Sequence, residues 1–369
     1  MKTKAALLPA TGKDWEIAEL ELDLPKAGEV LVKYMASGLC HTDEHFRAGD
    51  FVPRFPIVGG HEGAGIVEEI GPGVTHVKPG DHIVTSFIPA CGKCRYCGTG
   101  RQNLCDRGAT ALEGCQLDGT FRLHRDGEDI AQTFGVGTFA QRAVVSQDNC
   151  VVIDDDVSFE AACLVGCGVP TGWGSATAAA DVRPGDTVVI YGIGGVGINA
   201  VQGARFAGAR NVVAIDPLAN KREAALDLGA THTAANQEET AALVVDLTRG
   251  QMADKAIITV GLADSEVVTN AFDIVGKDGV VVLTAMSGQQ MTINIPGTLL
   301  TLFQKTIKGS LYGHMSPNVA VKELIALYRS GDLKLDELIT QRYRLDEINH
   351  AYQDLLDGRN IRGIIVHEH

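Results

Sequence analysis

The stretch Thr187-Val188-Val189-Ile190-Tyr191-Gly192-Ile193-Gly194-Gly195-Val196-Gly197 decides the architecture of half of this 369-residue chain. Its first five residues are an unbroken, largely β-branched run, the pattern of a strand buried on both faces. A G-x-G-x-x-G turn follows at once, and an alanine-rich segment continues to Phe206 with helical character. In that setting Gly192 makes the tight turn, Gly194 lets backbone approach a pyrophosphate, and Gly197 lets the helix pack on the strand, its N-terminus facing the phosphate charge. The turn as a whole, Gly192, Gly194, Gly195, Val196 and Gly197, is a candidate dinucleotide site.

Such a pattern is weak alone. Here a second strand, Val212-Val213-Ala214-Ile215, ends in Asp216, nineteen residues beyond Gly197. A carboxylate at that tip accepts the two ribose hydroxyls of NAD and repels the 2′-phosphate of NADP. The plainer alternative is an aspartate that merely ends a strand. Further on, helices are expected over 221–228, 238–247 and 265–274, with strands near Thr231 and over 256–260 and 279–284. Strands alternating with helices mean a parallel, doubly wound sheet. Ligands bind beyond the carboxyl ends of such strands, so Val260 and Thr284 are expected beside Gly192 and Asp216. Residues 306–312 are expected to leave this unit, and the tail to carry helices over 319–329 and 345–356 and a final strand over 363–366.

The N-terminal half has another character. Residues 1–36 read as short strands between turns, and 63–74 and 77–84 as alternating strands, which suits a small, partly open barrel. Between them lie Cys40-His41-Thr42-Asp43-Glu44-His45 and Gly60-His61-Glu62-Gly63. A zinc ion that does chemistry takes three protein ligands and leaves a fourth position for water or substrate, and two Cys plus one His is such a set. Cys40 and His61 are candidates for two of them, and Cys167, just before the glycine-rich half, is the best candidate for the third. Cys91, Cys94, Cys97 and Cys105 form a C-x2-C-x2-C-x7-C array. Four thiolates at that spacing close a tetrahedral zinc shell, which makes the site structural. The alternatives are an iron–sulfur cluster or unliganded core cysteines. Cys115, Cys150 and Cys163 read as buried small hydrophobes or loop thiols. Residues 108–135 read as an exposed excursion.

Composition limits the rest. Length suggests two domains. A net charge of -14 argues against a nucleic-acid-binding surface. No run of 18 apolar residues suggests a membrane span. The opening Met1 to Pro9 has too short an apolar run for a secretory signal, so cytoplasmic residence is the default and nine cysteines suggest metal rather than disulfides.

The run Gly60 to Val67, the four-cysteine array, the cysteine ahead of the cofactor-binding half and the Gly-x-Gly-Gly-x-Gly turn resemble the zinc-dependent medium-chain alcohol dehydrogenases over nearly the whole chain. Leu164-Val165-Gly166-Cys167-Gly168-Val169, Ile257-Ile258-Thr259-Val260-Gly261 and Asn360-Ile361-Arg362-Gly363 look most like the bacterial subgroup that keeps NAD(H) tightly bound and is assayed with N,N-dimethyl-4-nitrosoaniline (NDMA). The resemblance implies an α/β protein: a GroES-like, β-rich catalytic domain over 1–168 and 312–369, with a structural zinc lobe at 91–105, and a Rossmann NAD-binding domain over 169–311. It implies two zinc ions per subunit and NAD(H) as cofactors, a small-molecule alcohol or aldehyde substrate, and a homo-oligomer of two or four chains.

It also implies roles. Cys40, His61 and Cys167 would hold the catalytic zinc, with Glu62 beside it, and Asp43 would hydrogen-bond the far nitrogen of the ligand histidine. Thr42 and His45 match the family's proton relay. His41, standing where many relatives carry arginine, and Arg362 look like pyrophosphate contacts, Lys221 like an adenosine-ribose contact, and Thr171 like a nicotinamide contact. Phe87 and Phe134 fall where the family lines its substrate pocket. The implied activity is hydride transfer between a primary or simple secondary alcohol and NAD. Its competitors are oxidation of a thiol adduct of formaldehyde and a non-catalytic zinc or NAD(H) sensor on the same fold.

Overall fold

In a computed structural model of the chain, which describes residues 1–110 and 112–369, two compact units form. One is Met1–Cys167 with Ser316–His369, the other Gly168–Met315.

The Gly168–Met315 unit is built on six parallel strands in the order His232–Ala234, Asn211–Ile215, Thr187–Tyr191, Ala253–Ile258, Val275–Leu283 and Thr306–Gly309. Thr187–Tyr191 is buried along its whole length, as its unbroken apolar run requires. Register sets Tyr191 beside both Ile215 and Ile258, and Ile258 beside Leu283, so these strands end level. The residues that follow, Gly192, Asp216, Thr259 and Thr284, therefore share one edge of the sheet. Residues 306–309 do not leave this unit: they pair with Val280–Leu283 and form its outermost strand. None of the four is buried, as suits an edge, which a reading built on buried strands passes over.

The other unit joins both ends of the chain. Lys2–Leu8, Glu16–Leu22, Leu123–Arg125, Glu128–Gln132 and Ile57–Val58 close a five-stranded barrel, more complete than a partly open one. Residues 108–135 are thus an exposed excursion only in part: 109, 112–113, 118–120 and 125–129 are exposed, while Leu123–Arg125 and Glu128–Gln132 are strands of the barrel. Leu123, Ile130 and Ala131 are buried in the barrel core, and Arg122 has no exposed surface at all. Two strands of three and five residues, rich in charge on their outer faces, lack the length that marks a strand in sequence.

A seven-stranded sheet runs beside the barrel in this unit. It contains Glu62–Ile70, Glu29–Gly38 and the late strand Arg362–Val366, which pairs antiparallel with Ala36–Gly38. Trp15 stacks on Tyr352, ring centroids 5.7 Å apart, and meets Phe139 edge-on at 5.8 Å. Asn349 pins the same corner, exchanging two hydrogen bonds of 2.9 Å with the Trp15 backbone. These contacts hold residues from both ends of the chain in one corner of this unit.

Candidate active site

Cys40 caps the helix His41–Ala48, His61 precedes the strand Glu62–Ile70, and Cys167 follows the short helix Phe159–Leu164. Ser158 caps that last helix, accepting from the Ala161 N–H at 3.2 Å. Gly166 lets the chain return: a Cβ there would lie 2.8 Å from the Thr85 carbonyl oxygen. The ligand atoms of Cys40, His61, Glu62 and Cys167 come within 4.8 Å of one another. Three of the four residues are buried.

Burial and close contact set the charges of this group against one another. The Cys40 thiol is drawn well below its ordinary range, first by hydrogen bonding with Cys167 and then, against burial, by His61. Cys167 is pushed up by the same bond and by burial. Burial works against charge on His61, but Asp43 and Cys40 outweigh it and hold the imidazole above its usual value. Asp43 Oδ2 stands 3.0 Å from His61 Nδ1, though not aligned for a linear hydrogen bond, while Oδ1 accepts from the Gly60 N–H at 2.7 Å. Burial pushes the Glu62 carboxyl up to about 7, against the pull of Arg362. Arg362 donates to Glu62 through Nη2 and is itself buried, while its Nε has no hydrogen-bond partner among the described residues.

Thr42 and His45 lie three positions apart on the helix His41–Ala48, hence on one face. Thr42 Oγ1 is 3.5 Å from Cys40 Sγ. His45 is buried, and its Nδ1 meets Asp50 Oδ2 at 2.9 Å. His41 shares the helix, its ring 6.3 Å from that of His45. Phe87 and Phe134 set their edges against His61, with ring centroids 5.7 and 5.3 Å away, and stand 5.3 Å from each other.

The second cluster unites the Sγ atoms of Cys91, Cys94, Cys97 and Cys105 within 4.8 Å. Sγ of Cys91 and Cys97 are 3.9 Å apart, and those of Cys94 and Cys105 are 4.0 Å apart. A tetrahedron with zinc–sulfur bonds of about 2.3 Å has edges of about 3.8 Å, so both spacings suit zinc.

In the Gly168–Met315 unit the glycine turn is fixed from two sides. The Ile193 N–H donates to Asp216 Oδ2 at 2.8 Å, and Thr259 Oγ1 donates to the Gly192 carbonyl at 2.8 Å. A Cβ on Gly197 would sit 1.9 Å from that carbonyl oxygen, whereas one on Gly194 would meet nothing within 4 Å. Gly194 therefore leaves open space for a ligand, while Gly197 serves the packing of helix on turn. Thr171 Oγ1 is buried with no hydrogen-bond partner among the described residues, an orphan hydroxyl suited to a cofactor contact. Lys221 is buried on the helix Ala219–Asp227, and Val260 follows Thr259 in the loop beyond Ala253–Ile258.

The sequence matches the alcohol dehydrogenase GroES-like domain over residues 26–155 and the zinc-binding dehydrogenase family over 195–329. It is 59% identical over 368 residues to an NDMA-dependent alcohol dehydrogenase of Amycolatopsis methanolica, covering 100% of this chain and 99% of that one. The chain belongs to the zinc-binding alcohol dehydrogenases. Identity to the S-(hydroxymethyl)glutathione dehydrogenase of Saccharomyces cerevisiae is 36%, with 99% and 96% of the two chains covered. The structure of benzyl alcohol dehydrogenase from Acinetobacter calcoaceticus superposes with a TM-score of 0.93 at 33% identity, covering 100% of both chains. This dehydrogenase is thus an oxidoreductase with a GroES-like domain and a Rossmann-type cofactor domain, and among its described residues no helix is long and apolar enough to cross a membrane.

Several residues of this dehydrogenase escaped sequence reasoning. Asp50 was legible only through Gly49, whose left-handed φ of 88° ends the helix and turns Asp50 back onto His45. Phe46, 5.9 Å from Phe134, extends the aromatic wall, but a lone Phe on an amphipathic helix carries no signal for that. Thr259 reads as a strand residue until the turn it clamps is seen.

Proposed function

We propose that this dehydrogenase interconverts primary or simple secondary alcohols with their aldehydes or ketones, its catalytic zinc held by Cys40, His61 and Cys167 and its structural zinc by Cys91, Cys94, Cys97 and Cys105. The observation that carries the reading is the meeting of Cys40, His61 and Cys167, distant in sequence, within 4.8 Å. NAD(H) is assigned to the turn Gly192 to Gly197 with Asp216, Lys221, Val260 and Thr171, and His41 and Arg362 to the cofactor's phosphates. When bound, zinc would lower the pKa of a hydroxyl, for water down to about 7, and NAD would supply the hydride acceptor.

The chain's own residues handle the proton. Thr42 Oγ1 receives it from the substrate hydroxyl, and His45 carries it onward. Asp50 on Nδ1 fixes the tautomer, so uptake falls to Nε2. Phe87 and Phe134 wall the reacting carbon from water. Asp43 orients His61, and Glu62 stands within reach of the metal during ligand exchange. Tight retention of NAD(H), which fits the likeness to an NDMA-dependent relative, is part of the same proposal, as is, by the family resemblance, a homo-oligomer of two or four chains working in the cytoplasm.

Metal analysis and turnover test the core of this. Two zinc ions per chain are expected, and Cys40→Ser is expected to leave one and lower turnover by roughly a thousandfold. Unchanged turnover would refute the assignment. Reduced-nicotinamide absorbance that survives gel filtration supports retention, and a nucleotide-free preparation rejects it. Formaldehyde oxidation that strictly requires glutathione or mycothiol would replace the alcohol reading.

A further inference from the structure

The adenosine end of the nucleotide site carries a cation that the NAD reading does not use. Each oxygen of Asp216 accepts one backbone hydrogen bond, Oδ2 from the Ile193 N–H at 2.8 Å and Oδ1 from the Leu218 N–H at 2.9 Å, which leaves each a second lone pair for the ribose hydroxyls. The carboxylate is therefore fixed against the glycine turn. Arg222, in the first turn of Ala219–Asp227, folds back on the same strand tip. Its Nη1 donates to the carbonyls of Asp216 at 2.7 Å and Pro217 at 2.9 Å. Arg222 is half-buried, and among the described residues it forms no ion pair, with Nε and Nη2 making no hydrogen bond. A half-buried guanidinium with donors to spare is suited to a planar or tetrahedral oxyanion. At the end of this second strand, that oxyanion is the phosphate on the adenosine 2′ oxygen.

We propose that Arg222 is a preformed 2′-phosphate site held shut by the Asp216 carboxylate, so that removing that single charge turns the protein toward NADP(H). The inference rests on the reading that NAD(H) seats on this turn. With Asp216 present, the carboxylate takes the ribose hydroxyls and repels the extra phosphate. With it neutral, Arg222 supplies charge-assisted hydrogen bonds to that phosphate without any new residue.

Equilibrium dialysis of the wild type, Asp216→Asn and Asp216→Asn/Arg222→Ala, each first stripped of resident nucleotide with charcoal and shown by extraction to be nucleotide-free, against equal NAD and NADP tests this, with bound nucleotide extracted and quantified. The bound NADP:NAD ratio is expected to rise by roughly tenfold or more in Asp216→Asn and to fall back in the double variant, as one or two hydrogen bonds to a charged group imply. Asp216→Ser is carried in parallel and read in the same way, because the Asn amide offers one acceptor where two backbone N–H groups converge. An unchanged ratio in a folded, nucleotide-binding single variant overturns the proposal, as does a rise that survives loss of Arg222. A wild type that binds neither nucleotide would instead bring down the cofactor reading itself.

Discussion

Arg122 donates through Nε to one carboxylate oxygen of Glu29 at 2.7 Å and through Nη2 to the other at 2.5 Å, with no part of the arginine exposed. The pair fastens the barrel strand Leu123–Arg125 to the strand Glu29–Gly38 of the large sheet. Arg122→Met is expected to cost about 3–5 kcal/mol, because it leaves the Glu29 carboxylate buried and unpaired. Urea unfolding checks this. Arg122→Met/Glu29→Gln is expected to recover part of the loss, and a double variant no better than the single would show that packing, not charge, carries the effect.

Gly194→Ala and Gly197→Ala separate binding from folding within one turn. A Cβ on Gly194 meets nothing within 4 Å, so that variant is expected to fold with unchanged thermal stability and to lose nucleotide affinity. A Cβ on Gly197 would come within 1.9 Å of the Gly192 carbonyl oxygen, so that variant is expected to lose stability as well. Calorimetry of unfolding beside a nucleotide titration reads both, and a Gly194→Ala protein that binds NAD normally would remove Gly194 from the phosphate site.

Asp43→Asn is expected to weaken zinc at Cys40, His61 and Cys167 by roughly 10–100-fold, since it takes the charge from beside His61 Nδ1. Zinc at the four-cysteine lobe is expected to stay. Competition with a chelator should therefore release one ion early and one late, and a single common release rate would contradict the assignment.

Cys94→Ser is expected to do the reverse. The lobe from Cys91 to Cys105 has only short 3-10 turns, Cys97–Thr99 and Gln102–Leu104, and little apolar burial, so its order depends on its metal. Protease cleavage is expected within residues 91–112 while the other zinc is retained. A lobe as resistant as the wild type would mean that the thiols are not ligands.

His367 makes stability depend on acid. Its Nε2–H donates to the Thr138 carbonyl at 3.0 Å, and Nδ1 is buried with no partner among the described residues. Burial lowers its pKa to about 4, from 6.5. The unfolded chain takes up a proton near 6.5 that the folded chain refuses until about 4, so this stabilisation is full above 6.5 and is lost as pH falls toward 4. At pH 5 the loss is about 2 kcal/mol. His367→Gln, which keeps a donor for Thr138, is expected to show a flatter decline between pH 7 and 5 in denaturant titrations. A parallel decline would exclude His367 as its source.

The cofactor sheet was legible because burial on both faces writes a continuous apolar run, and Thr187 to Tyr191 has one. The ligand clusters were legible because metal coordination restricts residue type and spacing together. Arg122 and its two short strands were hidden, since a charged side chain in sequence gives no sign that a carboxylate ninety-three residues away will bury it. Asp50 was hidden for a related reason: its partner is set by the helix end at Gly49, a backbone event rather than a pattern of side chains. Edge strands such as Thr306–Gly309 stay faint because their exposed faces need no apolar repeat.

Glu62 and Arg362 stand 300 residues apart and meet in the interior. A ribosome adding about 5–20 residues per second needs roughly 15–60 s to travel from one to the other. Through that interval the Glu62 carboxylate has no arginine to meet. Burial of that carboxylate therefore waits for the last strand, Arg362–Val366, so the corner around Glu62 closes only when translation is nearly complete.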